Sequence, residues 1–460
     1  MCAIAGAFDV PNASYVISLM LKAMQHRGQE AAGIVSTDGK VLHDHRGFGL
    51  CDEVFANVDF ASRLPGTAAV GHLRYATTGD SNSPECIQPL MAALRYGPTA
   101  VVHNGNLTNY RARRAELEEA GAIFQSGSDT ELFLHLMARS HAADTVARLS
   151  ESFTRVEGAY SLLVLTRDKL IAAVDPLGFR PLAVARLGKG YLFASETCAF
   201  DLLNVRPSLP VSAGKIIEVS ANGDRSTAFA VPQRTRHCSF EHIYFSRPDS
   251  NAYGLSSNVV RERLGSLLAE RAPAAADLVT AVPDSSNTVA LAYAEKLGLP
   301  FRFALIRNHY TGRTFITPKQ TARELGVRMK LNAVKSVVHG KSVVVVDDSL
   351  VRGTTAAKVA ALLRDAGATA VHLRIGSPPV IHPCFWGIDT PRRAELAAAQ
   401  SSPAQLAALM GVDSLAYLNV DDLRKALGDE AGNAYCTTCF TGTLPDEEPD
   451  VLDSELIRDR

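Results

Sequence analysis

Short apolar runs separated by Gly, Pro and Asn dominate the first half of the chain. Ala68–His72, Ala100–His103, Ser161–Thr166, Leu170–Asp175, Gly190–Ala194 and Lys215–Val219 each read as a strand. Helical spacing appears at Val16–Gln25 and Thr130–Ser150. Strands gathered around a few helices predict an α+β domain. From about residue 255 the rhythm changes. Helical patterns at Asn258–Ala272, Asn287–Leu297 and Thr355–Ala366 alternate with strand patterns at Asp277–Val282, Phe301–Ile306, Ser342–Val346 and Ala370–Ile375. That alternation predicts an α/β domain with a parallel, doubly wound sheet. The expected division is 2–235 and 236–445, followed by an acidic, poorly ordered tail at 446–460.

Composition narrows the possibilities. With 460 residues, 47% hydrophobic and 21% charged, the chain can bury sizeable cores. A formal net charge of −1 argues against nucleic acid as the main partner. No run of about 18 apolar residues would span a membrane, and MCAIAGAFDV has no basic, apolar leader pattern. A cytoplasmic protein is expected, and its eight cysteines then read as thiols or metal ligands rather than disulfides.

The most informative stretch is Val343-Val-Val-Val-Asp347-Asp348-Ser349-Leu-Val-Arg352-Gly353-Thr354-Thr355. Its valines read as a central strand buried on both faces. Paired acids follow at the carboxyl end, where open α/β sheets bind ligands. Gly353 lets backbone N–H groups approach an anion, and the threonine hydroxyls and helix start complete a phosphate cradle. Asp347 and Asp348 suit ribose hydroxyls or Mg2+; the bland alternative is a capped helix facing water. A second loop, Pro283-Asp284-Ser285-Ser286, also follows a strand, so Ser285 is placed to touch metal or pyrophosphate. Between the two lies a basic, aromatic segment with Arg307, Tyr310 and Arg313, and Lys330 beyond it, which reads as a lid over pyrophosphate.

At the other end, Cys2 directly follows the initiator. Removal of Met1 would give one residue both a thiol and an α-amine, nucleophile and base together. Four further stretches keep it company: Gln25-His-Arg27-Gly28, Gly71-His-Leu-Arg74-Tyr-Ala-Thr77, His103-Asn104-Gly105-Asn106 and Gly127-Ser-Asp129-Thr-Glu131. Together they can grip an amino acid at both ends. Arg74 suits its α-carboxylate and Asp129 its α-ammonium, while the Asn104 side chain and the Gly105 N–H suit an oxyanion hole. Arg27 and Thr77 join the expected amino-acid-binding set.

These motifs resemble two known families. The first set is similar to class II glutamine amidotransferases, an N-terminal-nucleophile fold of stacked antiparallel sheets between helices. Asp347–Thr355 resembles the phosphoribosyl pyrophosphate signature of type I phosphoribosyltransferases. In that order, and with Asp175–Pro181, Ala194–Cys198, Glu241–Asp249 and Pro383–Pro391, the chain resembles glutamine phosphoribosylpyrophosphate amidotransferases over nearly its whole length. The resemblance implies synthesis of 5-phosphoribosylamine, glutamate and pyrophosphate from glutamine and phosphoribosyl pyrophosphate, the committed step of purine synthesis. It implies Mg2+, feedback by purine nucleotides, and a homo-oligomer, taken as a homotetramer. It also implies a structural [4Fe-4S] cluster on Cys238, Cys384, Cys436 and Cys439; zinc and plain buried thiols are the alternatives. Ammonia is mostly protonated in neutral water, so a sealed route would keep it nucleophilic.

The chain departs from the family's pattern in places. Ala3 stands where the family has Gly after the nucleophile, expected to crowd a turn there, and Arg307 and His309 replace Lys and Arg. Two rivals frame the expectation. Another class II amidotransferase would need a different acceptor domain, which Asp347–Thr355 argues against. A non-catalytic ligand-binding regulator would not need Cys2, Arg74, Asn104 and Asp129 together.

Overall fold

A computed structural model describes residues 1–75, 83–231, 234–308, 331–390, 392–429, 432 and 434–444. The chain forms two compact units. The first is Met1–Cys238 with Ser250–Gly254 and Cys384–Asp389; the second is Ser239–Asp249, Leu255–Pro383 and Thr390–Arg460. Beside the expected division at 235/236, two later segments, Ser250–Gly254 and Cys384–Asp389, belong to the first unit. The 446–460 tail lies outside the described residues. Among the described residues no helix is long and apolar enough to cross a membrane.

The first unit stacks two antiparallel sheets. One has seven strands, in the order Pro207–Pro210, Ala183–Leu187, Gly190–Ala194, Ala3–Phe8, Ala68–Arg74, Ala31–Thr37 and Leu42–Phe48. The other has six, in the order Gly223–Ala228, Lys215–Ser220, Lys169–Val174, Gly158–Leu165, Gly97–Leu107 and Leu90–Leu94. Period-two alternation sends Ile4, Val70, Val102, Leu163, Leu170 and Phe193 into a common core. The outer faces are covered by helices. Ile17, Met20 and Leu21 of Ala13–Ala23 pack on one side; Phe133, Met137, Leu149 and Phe153 pack on the other. The helix expected at Thr130–Ser150 is two, Glu131–Arg139 and Thr145–Phe153. Asp144 starts the second by accepting from Ala147 N at 2.8 Å, the ordinary role of an N-cap aspartate.

In the second unit, four parallel strands run in the order Leu278–Ala281, Ser342–Asp347, Ala370–Ile375 and Ser414–Tyr417. Helices Ser257–Arg271, Asn287–Leu297 and Thr354–Asp365 belong to the same unit. The valine strand is internal to the sheet, which its four fully buried valines require. Phe301–Ile306 is not the continuous strand expected. Phe301 makes a single parallel bridge to Val279, and Leu305–Arg307 turns away to pair antiparallel with Leu331–Ala333.

Candidate active sites

The thiol of Cys2 sits at the start of the strand Ala3–Phe8, where two neighbouring strand ends meet it. Ala3 pairs with Leu73 and lies in extended backbone, so the turn expected there does not exist. A pocket at this point is lined by Cys2, His72, Arg74, Tyr75, Gly105 and Asp129, with Cys86, Gln88, His103 and Ser128. Cys2 Sγ lies 3.5 Å from Tyr75 O. Burial pushes its pKa up, while the amino-terminal charge, the Tyr75 contact and Arg74 partly offset this. A thiol held protonated in this way needs a base beside it.

Each proposed partner has a local reason for its place. Arg74 ends the strand Ala68–Arg74, and His72, two residues earlier, shares its face. Burial, then the charges of Arg74 and His103, lower the His72 pKa to about 3, so this imidazole stays neutral. Asn104 is fully buried, and neither side-chain polar atom has a hydrogen-bond partner among the described residues. Buried amides are rarely left so, and an unused donor of this kind is what a developing oxyanion requires. Gly105 cannot be replaced, because a Cβ there would lie 1.9 Å from Ala159 O. Asp129 accepts from Leu107 N at 2.9 Å and approaches His103 Nδ1 at 3.6 Å.

Glu131 locks the turn that presents Asp129. Its carboxylate accepts from Gln125 N and Ser126 N, both at 2.7 Å, and from Ser126 Oγ at 2.6 Å. Burial opposes its charge, but His135 and these donors hold the carboxyl at about 2, against an ordinary 4.5. A folded pKa below the unfolded one gives stability that is present above about pH 4.5 and lost as pH falls toward 2. Glu131→Gln is therefore expected to cost about 1–2 kcal/mol at neutral pH, discounted for partial exposure. Urea unfolding should show the gap to wild type narrowing below about pH 4.5.

Arg27, expected to contact glutamine, is seen holding the start of the chain. It is 1% exposed and outside the pocket wall. Its Nε donates to Cys2 O at 3.0 Å and its Nη1 to Glu196 at 2.6 Å. Thr77 lies outside the described residues. The sequence also gave no task to His72, Gln88 or His103. Gln88 bridges the strand residue His103, through its N–H at 2.7 Å, and Thr130, through its hydroxyl at 2.9 Å. Strand alternation alone would have flagged His72 beside Arg74.

In the second unit the two acids stand at the carboxyl end of the central strand, as open α/β sheets place ligand contacts. Ser286 Oγ reaches Asp347 at 3.1 Å, Ser285 Oγ donates to Asp348 at 2.5 Å and Ser349 Oγ to Asp348 at 2.6 Å. Burial raises both pKa values; the charge of Asp348 adds to the rise at Asp347, while Ser285, Ser349 and Arg261 moderate it at Asp348. Gly353, with φ 77°, turns the chain into the helix Thr354–Asp365, and Thr354 and Thr355 expose the first helical turn. Arg352 pairs with Glu395 at 3.1 Å, and Arg307 with Asp284 at 3.1 Å. The expected lid residues Tyr310, Arg313 and Lys330 lie outside the described residues.

Among the described residues no group of three or more His, Cys, Asp or Glu side chains is arranged to hold a metal. Mg2+ does not ask for one. It is commonly held by one or two carboxylates, with substrate phosphates and water filling the rest of an octahedron. Asp347 and Asp348, two like charges side by side, fit that donor set. None of the cysteines is in a disulfide. Cys384 Sγ accepts from Trp386 N at 3.3 Å, a contact suited to a thiolate ligand.

Residues 72–201 match a glutamine amidotransferase domain family, and residues 255–375 match a phosphoribosyl transferase domain family. A thiol pocket in one unit and a paired-acid phosphate loop in the other thus define a glutamine amidotransferase joined to a phosphoribosyltransferase. The chain is 44% identical to the amidophosphoribosyltransferase of Bacillus subtilis, covering 97% of this chain and 94% of that one. It is 46% identical to the chloroplastic amidophosphoribosyltransferase 1 of Arabidopsis thaliana, covering 98% and 79%. A solved structure of the B. subtilis glutamine phosphoribosylpyrophosphate amidotransferase, complexed with ADP and GMP, superposes with a TM-score of 0.93. It is 43% identical and both chains are wholly covered. The chain belongs to the amidophosphoribosyltransferase family, whose reaction is the glutamine-dependent amidation of phosphoribosyl pyrophosphate in purine biosynthesis.

Proposed function

We propose that Cys2 is the nucleophile of the glutaminase half-reaction and that Asp347 and Asp348 anchor the phosphoribosyl acceptor. The buried, orphaned Asn104 amide, next along the strand to the pocket residue Gly105, carries this reading. With Met1 removed, the α-amine takes the thiol proton and the thiolate attacks the glutamine carboxamide. Asn104 and the Gly105 N–H receive the oxyanion, Arg74 and Asp129 hold the amino-acid end, and ammonia leaves. Water then frees glutamate. In the second unit Asp347 and Asp348 take the ribose hydroxyls and, with Ser285, would hold Mg2+. Ser349, Arg352, Gly353, Thr354 and Thr355 would cradle the 5-phosphate. Mg2+ when bound neutralises the departing pyrophosphate, and ammonia adds to the sugar carbon as pyrophosphate leaves. The nitrogen passes within the chain rather than through bulk water, where it would be protonated.

The family resemblance supports three further features. Cys238, Cys384, Cys436 and Cys439 would hold a structural [4Fe-4S] cluster, checked by iron and sulfide content and by visible absorbance lost in Cys436→Ser. The enzyme works in the cytoplasm as a homotetramer under purine-nucleotide feedback. The B. subtilis relative crystallised with ADP and GMP supports the nucleotide part.

The decisive assay follows glutamate release from glutamine with and without phosphoribosyl pyrophosphate. Release is expected to be slow alone and to rise at least about tenfold with the second substrate, since closure over one ligand commonly completes a catalytic site. Equal rates in both conditions would sink the coupled reading.

A further inference from the structure

The glutaminase centre holds a buried charge that the mechanism above does not use. Glu196 is 2% exposed, two residues beyond the end of the strand Gly190–Ala194. Its Oε1 accepts from Arg27 Nη1 at 2.6 Å and meets His26 Nε2 at 2.8 Å; its Oε2 accepts from Ser250 Oγ at 2.8 Å. Arg27 spends its Nε on the main-chain oxygen of Cys2, at 3.0 Å.

Fold stability does not account for this arrangement well. A buried ion pair recovers little more than its desolvation cost, and apolar replacements often serve as well. Its geometry points elsewhere. Cys2 lies outside the strand, which begins at Ala3. Once Met1 is gone, Cys2 is a chain end, and chain ends fray unless tied down. Yet its thiol and amine must be placed to within about 0.5 Å to work.

We propose that Glu196 is a positioning residue: it fixes the Arg27 guanidinium, which clamps the Cys2 carbonyl and so aims both thiol and amine at the substrate. This rests on Cys2 being the nucleophile. Ser250 and His26 brace the carboxylate from its other sides. Arg74 and Asp129, which grip glutamine, are not part of the clamp.

The test compares Glu196→Gln, Glu196→Asp and the double variant Arg27→Gln/Glu196→Gln, which leaves no buried charge unpaired. Cys2→Ser is run beside them. Ammonia-dependent synthesis by the second unit, together with the melting temperature, reports whether each chain is folded. In folded variants kcat for glutamine hydrolysis is expected to fall about a hundredfold, as misplacement by an ångström does, while KM for glutamine stays within about threefold. Glu196→Asp, which keeps the charge, should recover part of the loss. Alkylation of Cys2 by iodoacetamide, located by mass, should change in rate alongside kcat. An unchanged kcat, or a raised KM with kcat intact, overturns the proposal. Should Cys2→Ser itself hydrolyse glutamine normally, the nucleophile assignment fails instead, and the two failures are told apart. If the single charge-removing variant does not fold, the aspartate and double variants carry the decision.

Discussion

Cys2→Ser is expected to lose glutamine-dependent synthesis by at least about a thousandfold, with ammonia-dependent synthesis kept within about twofold of wild type. A serine hydroxyl in the same buried place has a far higher pKa than a thiol, and the α-amine is too weak a base to ionise it usefully. Burial already pushes the Cys2 thiol up, so little driving force is to spare. The second unit has its own sheet, core and phosphate loop, which is why free ammonia should bypass the lesion. The measurement is phosphoribosylamine formation with glutamine and with ammonium chloride at alkaline pH. Loss with both donors would mean that Cys2 supports the fold rather than the chemistry.

The second large effect is expected at Asp348. Asp348→Asn should lower ammonia-dependent synthesis by about 100- to 1,000-fold, the usual cost of removing one electrostatic contact to a reacting group. Basal glutamine hydrolysis should survive, but its stimulation by phosphoribosyl pyrophosphate should vanish. The asparagine keeps the shape and turns one acceptor into a donor facing Ser285 or Ser349, which both donate to Asp348. A helix-capping role predicts the reverse: a lower melting temperature with near-normal turnover. Assaying both quantities in one preparation separates the two.

How far these conclusions could be reached from the sequence depended on the element. Asn287–Leu297 and Ala370–Ile375 were legible to the residue, because strong periodicity lies between clear breakers. Ala3–Phe8 was not, since AIAGAF has no alternation: it is flanked on both sides by strands and buried almost throughout. Leu42–Phe48 was hidden for the opposite reason, being a half-exposed edge strand of polar residues. The acid pair was readable because strand, carboxylates, glycine and helix follow one another locally. Glu196 was not, because nothing in Ala194–Cys198 says that a carboxylate there will be buried against an arginine from residue 27. Asp175 was similarly mute. It folds back to accept from Tyr160 N, Leu177 N and Phe179 N, and burial still pushes it up to about 6.

The segments Ser250–Gly254 and Cys384–Asp389 bear on how the protein can be taken apart. Phe385 O accepts from Asn106 Nδ2 at 2.9 Å, Trp386 O accepts from Arg180 Nε at 2.8 Å, and Ser250 reaches Glu196. Trp386 also stacks on Phe179 at 4.5 Å between ring centroids. A gene fragment stopped at codon 238 would therefore encode a glutaminase missing pieces of its own wall, however natural that cut looks along the chain. Recombination between relatives faces the same constraint: swapping the first half alone mismatches the two borrowed patches, so chimaeras should carry all three stretches together.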